Sequence, residues 1–248
     1  MVFIDVHCHV DRCENIEATI KRAAKANVGI IVNNGINPET NRKTIELAKK
    51  HKEIKTAMGI YPVDGEEMDE KEFNSELEFI KKNAHIISAI GEVGLDLKIG
   101  KNLERQKQNL AKFIELSKEL KIPIIIHSRK AEKECIELLE KFDVKQVIMH
   151  CFSGNFNLVK RIMENGWTFS IPANITFSEH FQKVADLVPI SQLLCETDSP
   201  YLHPRKERNN EPANVVESYK KIAEIKGLSL SETEQKLESN YNRLFSKK

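Results

Sequence analysis

Short apolar runs alternate along this chain with segments whose apolar residues recur at intervals of three and four. Eight runs are strand candidates: VFIDV from Val2, VGIIVN from Val28, IKTAMGI from Ile54, HIISAI from His85, IPIIIH from Ile122, QVIMH from Gln146, WTFSI from Trp167 and QLLCET from Gln192. Continuous apolar character, rather than strict alternation, is expected of strands covered on both faces. Between them, Asn102 to Leu120 carries Leu103, Leu110, Phe113, Ile114, Ser117 and Leu120 at helical spacing, and Ala131 to Phe142 sets Cys135, Leu138, Leu139 and Phe142 on one side. Ser231 and Glu234 in SETE have capping-box spacing and predict a last helix that buries Leu237, Tyr241, Leu244 and Phe245. Doubly covered strands alternating with helices call for a parallel sheet, and eight such units in 248 residues fit a closed (β/α)8 TIM barrel with an extra C-terminal helix. An open doubly wound sheet would usually carry a glycine-rich phosphate turn after its first strand, and none stands there. With no linker, low-complexity tract or longer repeat, residues 1–248 read as one domain, and His203 to Ala213 (HPRKERNNEPA) reads as a loop.

In a parallel barrel, functional groups collect where strands end and βα loops converge. Here the first strand ends in His7 and His9, the fourth runs into Glu92, the fifth ends at His127, the sixth at His150 and the eighth at Glu196 and Asp198. A His or carboxylate closing a buried strand costs several kcal/mol of desolvation, of order ~3 or more, unless it is paired or bound to a cation. Five such strand ends therefore point to a metal centre. Four imidazoles and at least two carboxylates exceed the needs of one tetrahedral ion and suit two, about 3.5–4 Å apart and bridged by a carboxylate. Strand adjacency assigns His7, His9 and Asp198 to one ion and His127 and His150 to the other, with Glu92 between them. Asp5 shares the extended-strand face of His7 and His9 and is expected behind them. Glu196 shares the face of Asp198 one layer deeper, as a ligand, a substrate contact or an anchor for an imidazole. Cys8 and Cys151 have the opposite parity to the ligands and are expected to pack, while His51, His85 and His180 read as solvated or capping residues.

Composition narrows the function. Hydrophobic residues make up 40% and charged residues 30%, with 38 Lys+Arg against 37 Asp+Glu, so any contact with nucleic acid must come from a local basic patch. Arg129, Lys130, His203, Arg205 and Lys206, all in loops after ligand-bearing strands, are the candidates for that patch. No apolar run approaches a membrane span and no leader pattern opens the chain, which places it in the cytoplasm without a membrane partner. Five cysteines without a C-x-x-C pair disfavour both a disulfide framework and a thiolate zinc site.

The stretches IDVHCHVD, GEVGLD, IIIHSRKA, HCFSG, NITF, LLCETDSPYL, NEPANV and NRLF, in this order and over nearly the whole chain, resemble the TatD family of metal-dependent deoxyribonucleases within the amidohydrolase-type barrels. The resemblance implies two divalent ions, Mg, Mn or Zn, held by His7, His9, Glu92 and Asp198 and by Glu92, His127 and His150. It implies hydrolysis of DNA phosphodiesters by a two-metal-activated water, often from the 3′ end; Asp198 would orient that water or accept its proton. The chain itself is expected to be a monomer with no obligate protein partner. The family usually has G-x-H-P after the third strand, where this chain has Tyr61 in MGIYPVD. A tyrosine can donate one hydrogen bond to a phosphate but carries no positive charge. Three alternatives remain: a small-molecule amidase or lactonase on the same barrel, an ester hydrolase acting on charged transfer RNA, and a non-catalytic nucleic-acid-binding protein with structural metals. Many barrel amidases bridge their metals with a modified lysine where this chain has Glu92, which weighs against the first.

Overall fold

All eight apolar runs form parallel strands, β1 (Phe3–Cys8), β2 (Val28–Asn34), β3 (Ile54–Met58), β4 (Ile87–Asp96), β5 (Ile124–Arg129), β6 (Val147–His150), β7 (Thr168–Pro172) and β8 (Leu193–Glu196), ordered consecutively in one sheet that curls into a nearly closed (β/α)8 barrel. This computed structural model describes residues 2–246. Outside the strands lie α1 (Ile16–Lys25), α2 (Pro38–Lys50), α3 (Pro62–Glu67), α4 (Glu70–Lys82), α5 (Leu103–Leu120), α6 (Glu132–Lys141), α7 (Phe156–Glu164), α8 (Glu179–Leu187), α9 (Val215–Lys226) and α10 (Leu230–Phe245). None of these helices is long and apolar enough to cross a membrane.

Two of the three expected helices, α5 and α10, start where side chains can satisfy their first amides, while α6 begins after Ala131 without a side-chain cap. Asn102 caps α5 through the amide of Arg105, so the periodic stretch begins one residue later than its apolar pattern suggests. In α10 the capping box is Ser229 with Glu232, not Ser231 with Glu234. The segment SLSETE contains both frames, and the earlier one adds half a turn. Leu237, Tyr241 and Leu244 are buried as expected, while Phe245 is only partly covered.

Two apolar cores follow from the covering of both sheet faces. The larger lies between strands and helices. The smaller gathers Ile4, Val6, Val32, Ala57, Ala89, Ile125, Ile148 and Leu194, from seven of the eight strands, which places it inside the barrel. Tyr241 and Leu244 of α10 pack into it. Asn240 donates to the carbonyls of Ile190 and Leu193, and Arg243 to that of Ser191, all at the start of β8. The extra C-terminal helix thus closes the barrel floor and leaves the opposite mouth open.

The seam between β8 and β1 is made differently from the other seven junctions. The amide of Asp198 donates to the carbonyl of His7 at 2.9 Å, and that of His9 to the carbonyl of Ser199 at 2.8 Å. Lower in the seam the Asp5 carboxylate accepts from the Thr197 amide at 3.0 Å and the Thr197 hydroxyl at 2.6 Å. Asp5 therefore ties the strands together where a backbone ladder would run. The register of β1 on β2 shifts between Asp5 and Cys8, so strict alternation fails there: Val6 joins the inner core and Cys8 the outer one.

Thr197→Val keeps the shape and removes the hydroxyl from this buried seam. The expected cost is about 1–3 kcal/mol, because Asp5 loses a buried donor. A urea midpoint lowered by that amount at unchanged slope would register it.

Candidate metal centre

The site is assembled at the open mouth from residues that arrive on separate strands. His7 is the last residue but one of β1 and His9 follows the strand, Glu92 lies within β4, His127 is on β5, His150 ends β6, and Asp198 follows β8. Two local features make room for them. Gly94, with φ of +152°, passes so close to β5 that a Cβ would stand 1.8 Å from the His127 carbonyl oxygen, so only glycine lets β4 carry Glu92 against His127. Asp198 adopts the left-handed conformation with φ of +53°, which turns the chain immediately after β8 and which Asp tolerates better than most residues.

Glu92 lies at the centre. Its Oε2 is 3.4 Å from His7 Nε2 and 3.3 Å from His9 Nε2. Its Oε1 is 2.7 Å from His127 Nδ1 and 3.9 Å from His150 Nε2. Asp198 Oδ1 stands 3.7 Å from the Nε2 atoms of both His7 and His9. Two ligands of one ion, each about 2.1 Å from it, sit about 3.0–3.4 Å apart. The His7 and His9 separations are at or just beyond that spacing and too long for good hydrogen bonds. His7 adds a second sign: it is fully buried, and neither ring nitrogen has a hydrogen-bond partner. A buried orphaned imidazole is rare without a cation to face. Three groups have ligand atoms close enough for one ion: His7, His9 and Asp198; Glu92, His127 and His150; and His7, His150 and Glu196. The nitrogen and oxygen donor set fits a divalent metal.

The third group is better explained by support than by ligation. His150 Nδ1 donates to Glu196 Oε2 at 2.9 Å, and Ser170 donates to the same oxygen. Glu196 is fully buried, so of the roles open to it the geometry gives the anchor and not a substrate contact. His9 is held in the same manner, its Nδ1 against the Asn34 carbonyl at 2.8 Å. Both contacts turn Nε2 toward the centre.

Charge within the site is sharply divided. Burial penalises the Glu92 carboxylate, but contacts from His127, His7 and His9 outweigh it and hold the group well below its ordinary range. Burial keeps His7 and His150 neutral, the form that ligation requires. Burial alone would lower the His9 ring too, but Glu92 and Asp198 raise it to about 9. Asp198 is pushed up to about 6 by burial. Cys8 and Cys151 flank the ligands, and burial pushes both thiols up, which suits packing rather than ligation.

A cavity of about 710 Å³ opens over these groups, lined among others by Arg12, Tyr61, Arg129, Ile99 and Tyr201. Arg129 therefore stands where the sequence places it. The neighbouring loop does not. His203 and Arg205 line a separate pocket of about 640 Å³, which shares Arg12 with the first. Left-handed turns at Leu202 and Lys206 redirect the chain; His203 is buried, Arg205 pairs with Glu207 at 3.2 Å, and Lys206 lies over the Phe177 ring. Lys130 is exposed and outside both linings. Two residues escaped the sequence reading. Arg12, in the short turn after His9, bridges both pockets and donates to the Tyr201 hydroxyl at 3.2 Å. Asp96, at the end of β4, accepts from the Tyr61 hydroxyl at 2.5 Å and from His127 Nε2 at 3.1 Å. Its signal was parity, since Glu92, Gly94 and Asp96 alternate along one strand.

The family model of TatD related DNases matches residues 4–246. The chain is 34% identical to a metal-dependent hydrolase of Methanocaldococcus jannaschii over 249 residues, covering 99% of this chain and 98% of that one. It is 32% identical to the deoxyribonuclease TATDN3 of Homo sapiens over 259 residues, covering 98% and 94%. The crystal structure of the TatD homologue YjjV of Escherichia coli superposes with a TM-score of 0.91 at 27% identity, covering 99% and 98%.

Because Glu92 faces both histidine pairs, Glu92→Ala is expected to strip more metal from the dialysed protein than His9→Ala or His127→Ala. Elemental analysis of the three variants beside the unaltered protein measures this.

Proposed function

This chain belongs to the TatD related DNase family of metal-dependent hydrolases, and on that footing we propose that it is a deoxyribonuclease that cleaves DNA phosphodiesters from the 3′ end. In this reading each chain, a monomer working as one barrel domain, uses two divalent ions, Mg, Mn or Zn. His7, His9 and Asp198 would hold one, His127 and His150 the other, and Glu92 would give one oxygen to each. The two-ion reading rests on one observation: the two oxygens of Glu92 face different histidine pairs. The DNA substrate is supported by likeness to a relative named a deoxyribonuclease along almost its entire length.

Such ions, when bound, supply positive charge that polarises a phosphodiester and makes water acidic enough to attack it. The chain's own residues would do the rest. Asp198 lines the cavity and would orient the attacking water or take its proton. Arg12 and Arg129, three residues after His9 and two after His127, line the same cavity and would grip phosphate oxygens, providing the local positive charge that a nearly neutral chain requires. Tyr201 and Ile99 are 50% and 58% exposed at this cavity and offer apolar surface to bases. Five free cysteines suit a reducing compartment, the cytoplasm.

The test uses protein stripped of metal, resupplied with Mg, Mn or Zn, and mixed with a 5′-labelled oligonucleotide. A product ladder shortening from the 3′ end is expected, with Asp198→Asn slower by at least about 100-fold and Glu92→Ala inactive. Absence of cleavage of single and double strands under every metal would overturn the reading and redirect the search to small esters and amides.

A further inference from the structure

His127 is built into the site differently from the other imidazoles. His9 and His150 are anchored through Nδ1 and turn Nε2 inward, whereas His127 turns Nδ1 toward Glu92 and gives Nε2 to Asp96. Both nitrogens face carboxylates, which only accept hydrogen bonds; the contact with Asp96 keeps a proton on Nε2, so Nδ1, which faces Glu92 inside the ligand set, is the nitrogen a cation would take.

Asp96 is fully buried and its hydrogen-bonding capacity is used up. Oδ1 accepts from the amides of Lys98 at 2.7 Å and Ile99 at 3.1 Å, which closes the turn after β4. Its own amide donates to Gln106 of α5 at 2.8 Å, fixing the backbone on which the carboxylate sits. Oδ2 is left for His127 and for the Tyr61 hydroxyl. Tyr61 thus has its single proton committed to Asp96, and toward any phosphate in the cavity it can only accept. The donor role expected for it from the sequence is not the role this geometry gives.

Resting on the two-ion reading above, we infer that Asp96, locked by Tyr61, is the positioning residue that presents His127 to the second ion through Nδ1, and that this pair sets the affinity of that position alone. The first position, at His7, His9 and Asp198, has no contact with either residue, so the two sites respond separately to changes at Asp96. Neither Asp96 nor Tyr61 touches the ion. Both act through the ring of His127.

Calorimetric titration of metal-stripped protein with zinc, with elemental analysis for stoichiometry, tests this without any activity assay. The unaltered chain is expected to take two ions. Asp96→Ala should weaken only the second by about 10–100-fold, Asp96→Asn less, because its amide oxygen can still accept from His127, and Tyr61→Phe by about two- to tenfold through loss of one hydrogen bond. If Asp96→Ala does not fold, Tyr61→Phe still carries the test. Long-range proton–nitrogen spectra of the zinc-loaded protein should place the His127 proton on Nε2. Two ions bound with unchanged affinities in the variants, or a proton on Nδ1, would overturn the inference while leaving the two-ion reading intact. A single ion in the unaltered chain would overturn both.

Discussion

Glu92 is a carboxylate 4% exposed at the centre of four imidazoles, and the geometry of the barrel mouth is arranged around the cost of keeping it there. An ionised carboxylate moved out of water without compensation costs several kcal/mol even after relaxation, of order ~3–5 when a partner is missing. Contacts from the surrounding imidazoles repay part of that. A cation between the carboxylate and the rings would repay the rest, and would also account for His7 being buried with both nitrogens unpaired. Metal binding here would then be part of the stability of the mouth as well as of its chemistry.

Holding six proposed ligand side chains in register takes a rigid scaffold, and the nearly closed barrel supplies it. The hydrogen bonds that join β8 to β1 involve His7, His9 and Asp198 through their backbones, so the seam and the proposed first metal position are the same piece of structure. Three of the four imidazole rings have their own brace: the Asn34 carbonyl for His9, Glu196 with Ser170 for His150, and Asp96 with Tyr61 for His127. His7 has none and is packed instead, its ring stacked on that of His150 with centroids 3.6 Å apart. Its orientation depends on that neighbouring ring being in place.

Much of this was legible in the sequence because strand ends in a barrel converge. All eight strands were found from their apolar runs, and the residues that close five of them meet at one mouth. What was not legible depends on contacts no local pattern encodes. The strand carrying Glu92 continues to Asp96, past the end of its apolar run at Ile90, so the apolar pattern does not single out Asp96. Alternation could not foresee the shift of register of β1 on β2 after Asp5, nor that the Asp5 carboxylate would tie β1 to the chain after β8. The basic loop residues were placed at the mouth because their strand carries ligands, but left-handed turns at Leu202 and Lys206 carry His203 and Arg205 into the adjoining pocket. Arg12 does part of what was expected of them, from a turn that follows His9 by three residues.

The central claim is that Glu92 lies between two cations. Anomalous diffraction from a crystal of the full chain grown with manganese tests it directly. The account predicts two peaks at the barrel mouth, one on each side of Glu92, the first against His7, His9 and Asp198 and the second against His127 and His150. A single peak, or manganese away from Glu92, would contradict it.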